Sequence, residues 1–107
     1  MEKEEKLFLK ISKKLEKENR SVRPGKMMSS PGIKYKDKVF AFYHKKQMVF
    51  RLGKGFDPNS FKIKKYSLLN PFKNKAPMSG WFEIPFSEQT KWEILARDAL
   101  RNLFPKN

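Results

Sequence analysis

At the start of the chain Leu7, Ile11 and Leu15 recur every four residues, with Phe8 beside them and charged residues filling the rest. That spacing lays one apolar stripe along a helix over residues 2–19. Glu2–Lys6 and Lys14–Glu18 are spaced for i,i+4 pairing. Asn19 followed by Arg20-Ser21 offers an end, and Pro24-Gly25 forbids continuation.

The period then changes from four to two. Ile33-Lys34-Tyr35-Lys36-Asp37-Lys38 alternates apolar with basic residues, the pattern of a strand with one wet face. Val39-Phe40-Ala41-Phe42-Tyr43 is apolar on both sides and predicts a central strand covered twice. Met48-Val49-Phe50-Arg51-Leu52 alternates again. The breaks, Lys36-Asp37-Lys38 and His44-Lys45-Lys46-Gln47, are short enough to permit only antiparallel neighbours, hence a three-stranded meander.

Beyond Gly53 and Gly55, Asp57-Pro58 has a capping residue followed by proline, the opening of a short helix. Tyr66–Leu69 and Gly80–Ile84 read as two further strands, with Pro71 and Pro77 in the loop between them. Ser87 is placed to cap a last helix, whose stripe is Trp92, Leu95, Ala96, Ala99 and Leu103, widened by Ile94 and Leu100. The predicted order is α-β-β-β-α-β-β-α: one α+β domain over residues 1–107, two layers, with a five-stranded antiparallel sheet.

Charge changes this picture by its placement. The net charge is +14, yet residues 1–20 hold seven bases and five acids, and residues 83–107 hold four of each. Residues 21–82 hold fourteen bases against only Asp37 and Asp57. An unneutralised middle attracts polyanions. If both long helices cover one face of the sheet, the other face inherits the lysines. The candidate nucleic-acid contacts are Lys34, Lys36 and Lys38, sharing one face of a strand, then Lys45, Lys46, Arg51, Lys54, Lys64 and Lys65. Lys62, Lys73 and Lys75 add to the same charge, and Tyr35, Tyr43 and Tyr66 are interleaved for base stacking. Lysine outnumbers arginine 20 to 5, so a solvated lysine-rich surface is the plainer reading, and base-specific recognition is not expected.

Other chemistry is thin. With no cysteine there is no disulfide, thiolate metal site or thiol nucleophile. His44 stands alone at a strand end, Ser29 and Ser30 look like turn residues, and Asp57 reads as a cap. No nucleophile–base pair and no phosphate loop is visible, so no enzyme, cofactor or metal is expected. Trp81 and Phe82 fall on opposite faces of one strand: one joins the core, and the other is covered by a helix or exposed as a contact surface. Met1-Glu2-Lys3-Glu4-Glu5-Lys6 lacks a signal-peptide order, and no apolar run is long enough for a membrane, so a cytoplasmic protein is expected.

Two segments carry a resemblance. Lys26-Met27-Met28 with Gly32-Ile33-Lys34-Tyr35-Lys36-Asp37-Lys38-Val39-Phe40-Ala41-Phe42 resembles the central signature of the TfoX (Sxy) N-terminal domain. Ala76-Pro77-Met78-Ser79-Gly80-Trp81-Phe82-Glu83-Ile84-Pro85 is similar to that family's second conserved segment, and Leu95–Leu100 to its closing helix. The related YjbR (MmcQ) proteins share the Lys-Val-Phe-Ala strand and the Gly-Trp. The resemblance spans residues 5–104 and implies a fold like that of the secretion chaperones, α-β3-α-β2-α. Ser29-Ser30 stands where the family has paired glycines. The family's competence regulators have a second, C-terminal domain not found here, so a competence-activator role is not expected. The expected function is a small non-enzymatic regulatory protein that binds nucleic acid non-specifically through a basic face. The alternative is an interaction module for an acidic protein partner.

Overall fold

The first helix forms where its stripe requires one: α1 runs Lys3–Glu18 and buries Phe8, Ile11 and Leu15. This is a computed structural model, and it describes residues 2–70 and 78–105. Asn19 ends α1 in an extended conformation, and its side-chain oxygen accepts the Ser21 amide at 2.9 Å, turning the chain into the sheet.

The segment after α1 is more than the expected helix stop. Val22–Met27, including Pro24 and Gly25, forms strand β1. It pairs only with β2, Ser30–Tyr35, so it is a sheet edge. At an edge the missing proline N–H breaks no ladder. Gly25 lies opposite Gly32 across this pair. A Cβ at Gly32 would sit 2.9 Å from the Ala41 carbonyl oxygen, so the close β2–β3 approach requires glycine there.

The meander then continues through β3, Lys38–His44, and β4, Gln47–Arg51, as the alternation predicts. The boundaries move, however. Lys36 has φ +56 and lies with Asp37 in the β2–β3 turn, so Lys34, Lys36 and Lys38 do not share one strand face. A register shift opposite Ile33/Lys34 makes Phe40 an extra residue in β3. Phe40 and Ala41 consequently both join the helix-side core, whereas Val39 and Phe42 pack on the other side. Phe40, Ala41 and Phe42 are all fully buried, as a twice-covered central strand demands.

Asp57 caps the short 3-10 helix Pro58–Phe61, accepting the Asn59 amide at 3.0 Å. Two shorter strands complete the sheet: β5, Ser67–Leu68, and β6, Trp81–Ile84. The order is β1-β2-β3-β4-β6-β5, antiparallel throughout, with six strands rather than five. Ser87 does not cap the last helix. It lies inside a 3-10 segment, Phe86–Lys91, that leads into α2, Trp92–Arg101, and neither has a side-chain cap. Trp92, Leu95, Ala96, Ala99 and Leu100 are buried, but Ile94 points outward, 44 % exposed.

Both long helices share one core with a single face of the sheet. Both edge strands leave unpaired backbone, but β1 carries Pro24, Arg23 and Lys26, which discourage strand addition, and β5 is only two residues long. No helix among the described residues is long and apolar enough to cross a membrane.

Candidate functional site

The sheet face away from the helices is not the bare lysine-bearing surface expected. Its centre holds a second apolar cluster, Phe42, Val49 and Leu69, flanked by Met27, Val39, Met78 and Trp81. Leu69 is led over this face by two backbone bonds, its own amide to the Trp81 carbonyl at 2.9 Å and the Met78 amide to its carbonyl at 2.7 Å. Cations are therefore displaced to the margins of the face.

One margin collects them. Register places Arg23 opposite Lys34, Lys34 opposite Val39, and Arg51 opposite Trp81. Alternation from Val49 puts Arg51 on the same face as Trp81, diagonally across from Val39. The row Arg23–Lys34–Val39–Arg51–Trp81 thus crosses five adjacent strands, roughly 19 Å at the usual strand spacing. Lys36 at the β2–β3 turn, Lys38 at the start of β3, and Lys54 just past β4 stand at this same end. Lys38 and Arg51 also border a groove of about 730 Å³ between the Gly53–Phe61 segment and the end of α2, floored by Phe56 and Phe61.

These cations lack ionic partners. Among the described residues none of Arg23, Lys34, Lys36, Lys38, Arg51 and Lys54 lies within 4.0 Å of a carboxylate. Arg23 donates instead to the Val22 carbonyl at 3.1 Å, and the Lys36 ammonium lies over the Tyr35 ring. Asp37 shares the hairpin tip, and Asp57 and Asp98 line the groove, so the end is cationic without being purely so.

Four glutamates are engaged elsewhere. Glu18 and Glu93 both hold Arg97, and Glu93 also takes Lys14. The hydrogen bond from Arg97 draws the Glu18 carboxyl below its ordinary range. The bond from Lys14, with Arg97 behind it, does the same for Glu93. Glu88 accepts the Lys64 and Lys65 amides at 2.6 and 2.7 Å, and Glu83 accepts the Ser67 hydroxyl at 2.9 Å.

The remaining candidates are not brought to this end. Lys45 and Lys46 form the β3–β4 turn at the far end of β3, roughly 20 Å away by strand rise, and Lys46 pairs with Glu2 at 3.5 Å. Lys64 and Lys65 precede β5, which register puts at that far end too. Lys73 and Lys75 lie outside the described residues, as does part of the Asn70–Ser79 loop. The nine-residue face expected from the sequence is therefore two groups, of which the first holds Lys34, Lys36, Lys38, Arg51 and Lys54. Arg23 joins it because β1 exists, which no periodicity in Val22–Met27 announces.

The tyrosines are also redistributed. Tyr35 packs edge-on to Phe104, and Tyr43 packs against Phe8 on the helix side, where burial, with Glu2, Glu4 and Glu5 nearby, pushes its hydroxyl upward in pKa. Tyr66 is 48 % exposed but leans on Phe82, on the helix side. Trp81, half-buried, is the aromatic beside the cations.

Ser30 and His44, separate in the sequence, meet across β2 and β3: Ser30 Oγ lies 3.0 Å from His44 Nδ1. This is a nucleophile–base type of contact that sequence spacing did not reveal. Ser30 is only 8 % exposed, however, and its hydroxyl is engaged in tying the two strands together. His44 borders a small hollow with Met28, Leu69 and Glu83, but Glu83 is bonded to Ser67 and not to the imidazole. No group of three or more His, Cys, Asp or Glu side chains gathers among the described residues.

Comparison of the chain with protein-family models, with curated proteins and with solved structures finds no match, so residues and geometry alone carry the functional reading.

Proposed function

We propose that the protein binds the phosphate backbone of nucleic acid, independently of sequence, through the cationic end of its sheet. The observation that supports this most is the segregation of charge. Among the described residues six cations gather at one end without ionic partners, while the carboxylates of α1 and α2 offset most of the positive charge of the helices. Clustered bases of this kind displace counterions from a polyanion, which makes binding strong at low salt and steeply salt-dependent. Lysine-rich contacts suit positioning on phosphates rather than reading of base edges.

The role is that of a binding protein rather than an enzyme, since the one Ser–His contact is enclosed and lacks an orienting acid. A cytoplasmic location accords with it, for a chain without cysteine needs no oxidising compartment. We place the chain beside the TfoX N-terminal and YjbR-like proteins. In support, its order roughly follows the three-strand, helix, two-strand, helix plan, with one strand added before the meander and a four-residue 3-10 turn, Pro58–Phe61, where the plan has its middle helix.

Titration of labelled duplex and single-stranded oligonucleotides at rising salt tests the reading. Binding that weakens steeply with salt and is lost in Lys34→Glu with Arg51→Glu supports it. Absence of binding even at low salt removes it and leaves an acidic protein as the partner to seek.

A further inference from the structure

We infer that Trp81 is a stacking platform for an unpaired base, and that the ligand of the cationic row is single-stranded nucleic acid. The inference rests on the phosphate-binding reading and narrows its ligand.

Trp81 ends the row and stands directly opposite Arg51. Its ring packs tilted against that of Phe42, fully buried, with centroids 5.7 Å apart at 53°, at the border of the apolar cluster of Phe42, Val49 and Leu69. The position of the residue is fixed from its own backbone. The Gly80 carbonyl accepts both the Leu52 and the Gly53 amides, at 2.8 and 3.1 Å, which clamps the start of β6 to the end of β4. Trp81 and Arg51 are therefore held side by side by the ladder rather than by flexible loops.

The chemistry of such a row separates two ligands. A duplex offers phosphates to Arg23, Lys34 and Arg51, but its base faces are stacked on one another. A single strand offers the same phosphates and, in addition, an open π-face to an aromatic beside them. Arg51, the ladder partner of Trp81, supplies a phosphate contact to either ligand. Stacking on an indole needs only a π-face, which every base has, so the stack accepts any base. Deoxyribose and ribose strands share this chemistry.

The two tryptophans make the test unusually direct. Trp92 is fully buried, with its Nε1 donating to the Ile84 carbonyl at 3.1 Å. Quenching of tryptophan emission by a bound base therefore reports Trp81. The full chain is titrated with oligo-dT and oligo-rU of about 12 nucleotides, a length within single-strand site sizes. A duplex of equal length and inorganic polyphosphate are titrated in parallel. The expected result is saturable quenching by dT, rU or both, which also identifies the sugar, while duplex and polyphosphate bind without quenching. Trp81→Ala should weaken single-strand binding about five- to hundred-fold and leave duplex binding unchanged. Trp81→Phe keeps a ring on Phe42: it should retain most single-strand affinity, and its remaining emission should not respond. If duplex and polyphosphate bind but neither oligonucleotide quenches, and Trp81→Phe and Trp81→Ala bind as the parent does, stacking is overturned while phosphate binding stands. If none of the four probes binds, both readings fall.

Discussion

Arg97 of α2 lays two nitrogens across the Glu18 carboxylate at the end of α1, at 2.6 and 2.9 Å, though the residues are 79 apart in sequence. Its Nη2 also reaches Glu93 at 3.2 Å, so one guanidinium joins both helices. The consequence extends beyond local pairing. Acids used in this way offset most of the charge of the helical layer, and most of the surplus of the chain is left on the sheet and its turns.

This bridge makes stability depend on acid pH. Glu18 and Glu93 titrate lower in the fold than their ordinary value of 4.5, chiefly through the bonds from Arg97 and Lys14. A carboxyl depressed by folding stabilises above its unfolded pKa and loses that contribution as pH falls through the folded one. Stability should therefore decline as pH drops below about 5, and Arg97→Met should flatten that decline. Denaturant midpoints at pH 3 to 7 for both proteins check it. Equal slopes would show that other carboxyls carry the dependence.

The β3–β4 turn should be improvable. Lys45 and Lys46 have φ +50 and +66, so both central residues occupy the left-handed region of a type I′ turn, where Asn-Gly is preferred. Lys45→Asn with Lys46→Gly should raise stability by about 1 kcal/mol. The exposed Lys46–Glu2 pair it removes is worth little. Urea unfolding measures the gain. Because these lysines stand at the far end of the sheet, the salt dependence of nucleic-acid binding should not change.

A glycine pair should separate strain from crowding. Gly53 and Gly80 have φ +93 and +87. A Cβ at Gly53 meets nothing within 4 Å, whereas one at Gly80 would lie 3.3 Å from the Gly53 backbone. Gly80→Ala should cost about 1–3 kcal/mol, and Gly53→Ala less. Gly80→Ala should also weaken single-strand binding more, because it disturbs the clamp that sets Trp81 beside Arg51. Thermal unfolding and the quenching titration read the two effects.

Much of this fold is legible in the sequence because its elements are amphipathic. The period of α1, the doubly apolar Val39–Tyr43 and the stripe of α2 each announce their partner surface. The failures have physical causes. Val22–Met27 reads as a breaker because proline and glycine are costly inside a sheet, yet at an edge, opposite Gly32, they cost little. The alternating lysines suggest one wet strand, but Lys36 adopts a left-handed turn and reverses the chain between them. Ser87 resembles a cap, and the 3-10 segment around it supplies the turn through backbone bonds instead, Glu88 N to the Pro85 carbonyl at 2.9 Å. The site suffered most, since it depends on register. Nothing local in the sequence places Arg23 beside Lys34, or Trp81 beside Arg51.

The salt dependence of oligonucleotide affinity tests the central claim most directly. A row engaging about three or four phosphates should lower log K by roughly 3 per tenfold rise in salt, and Lys34→Glu with Arg51→Glu should reduce that slope by about 2. A slope near zero, or one that the double reversal leaves unchanged while Lys45→Glu with Lys46→Glu abolishes it, would contradict the assignment of binding to this end of the sheet.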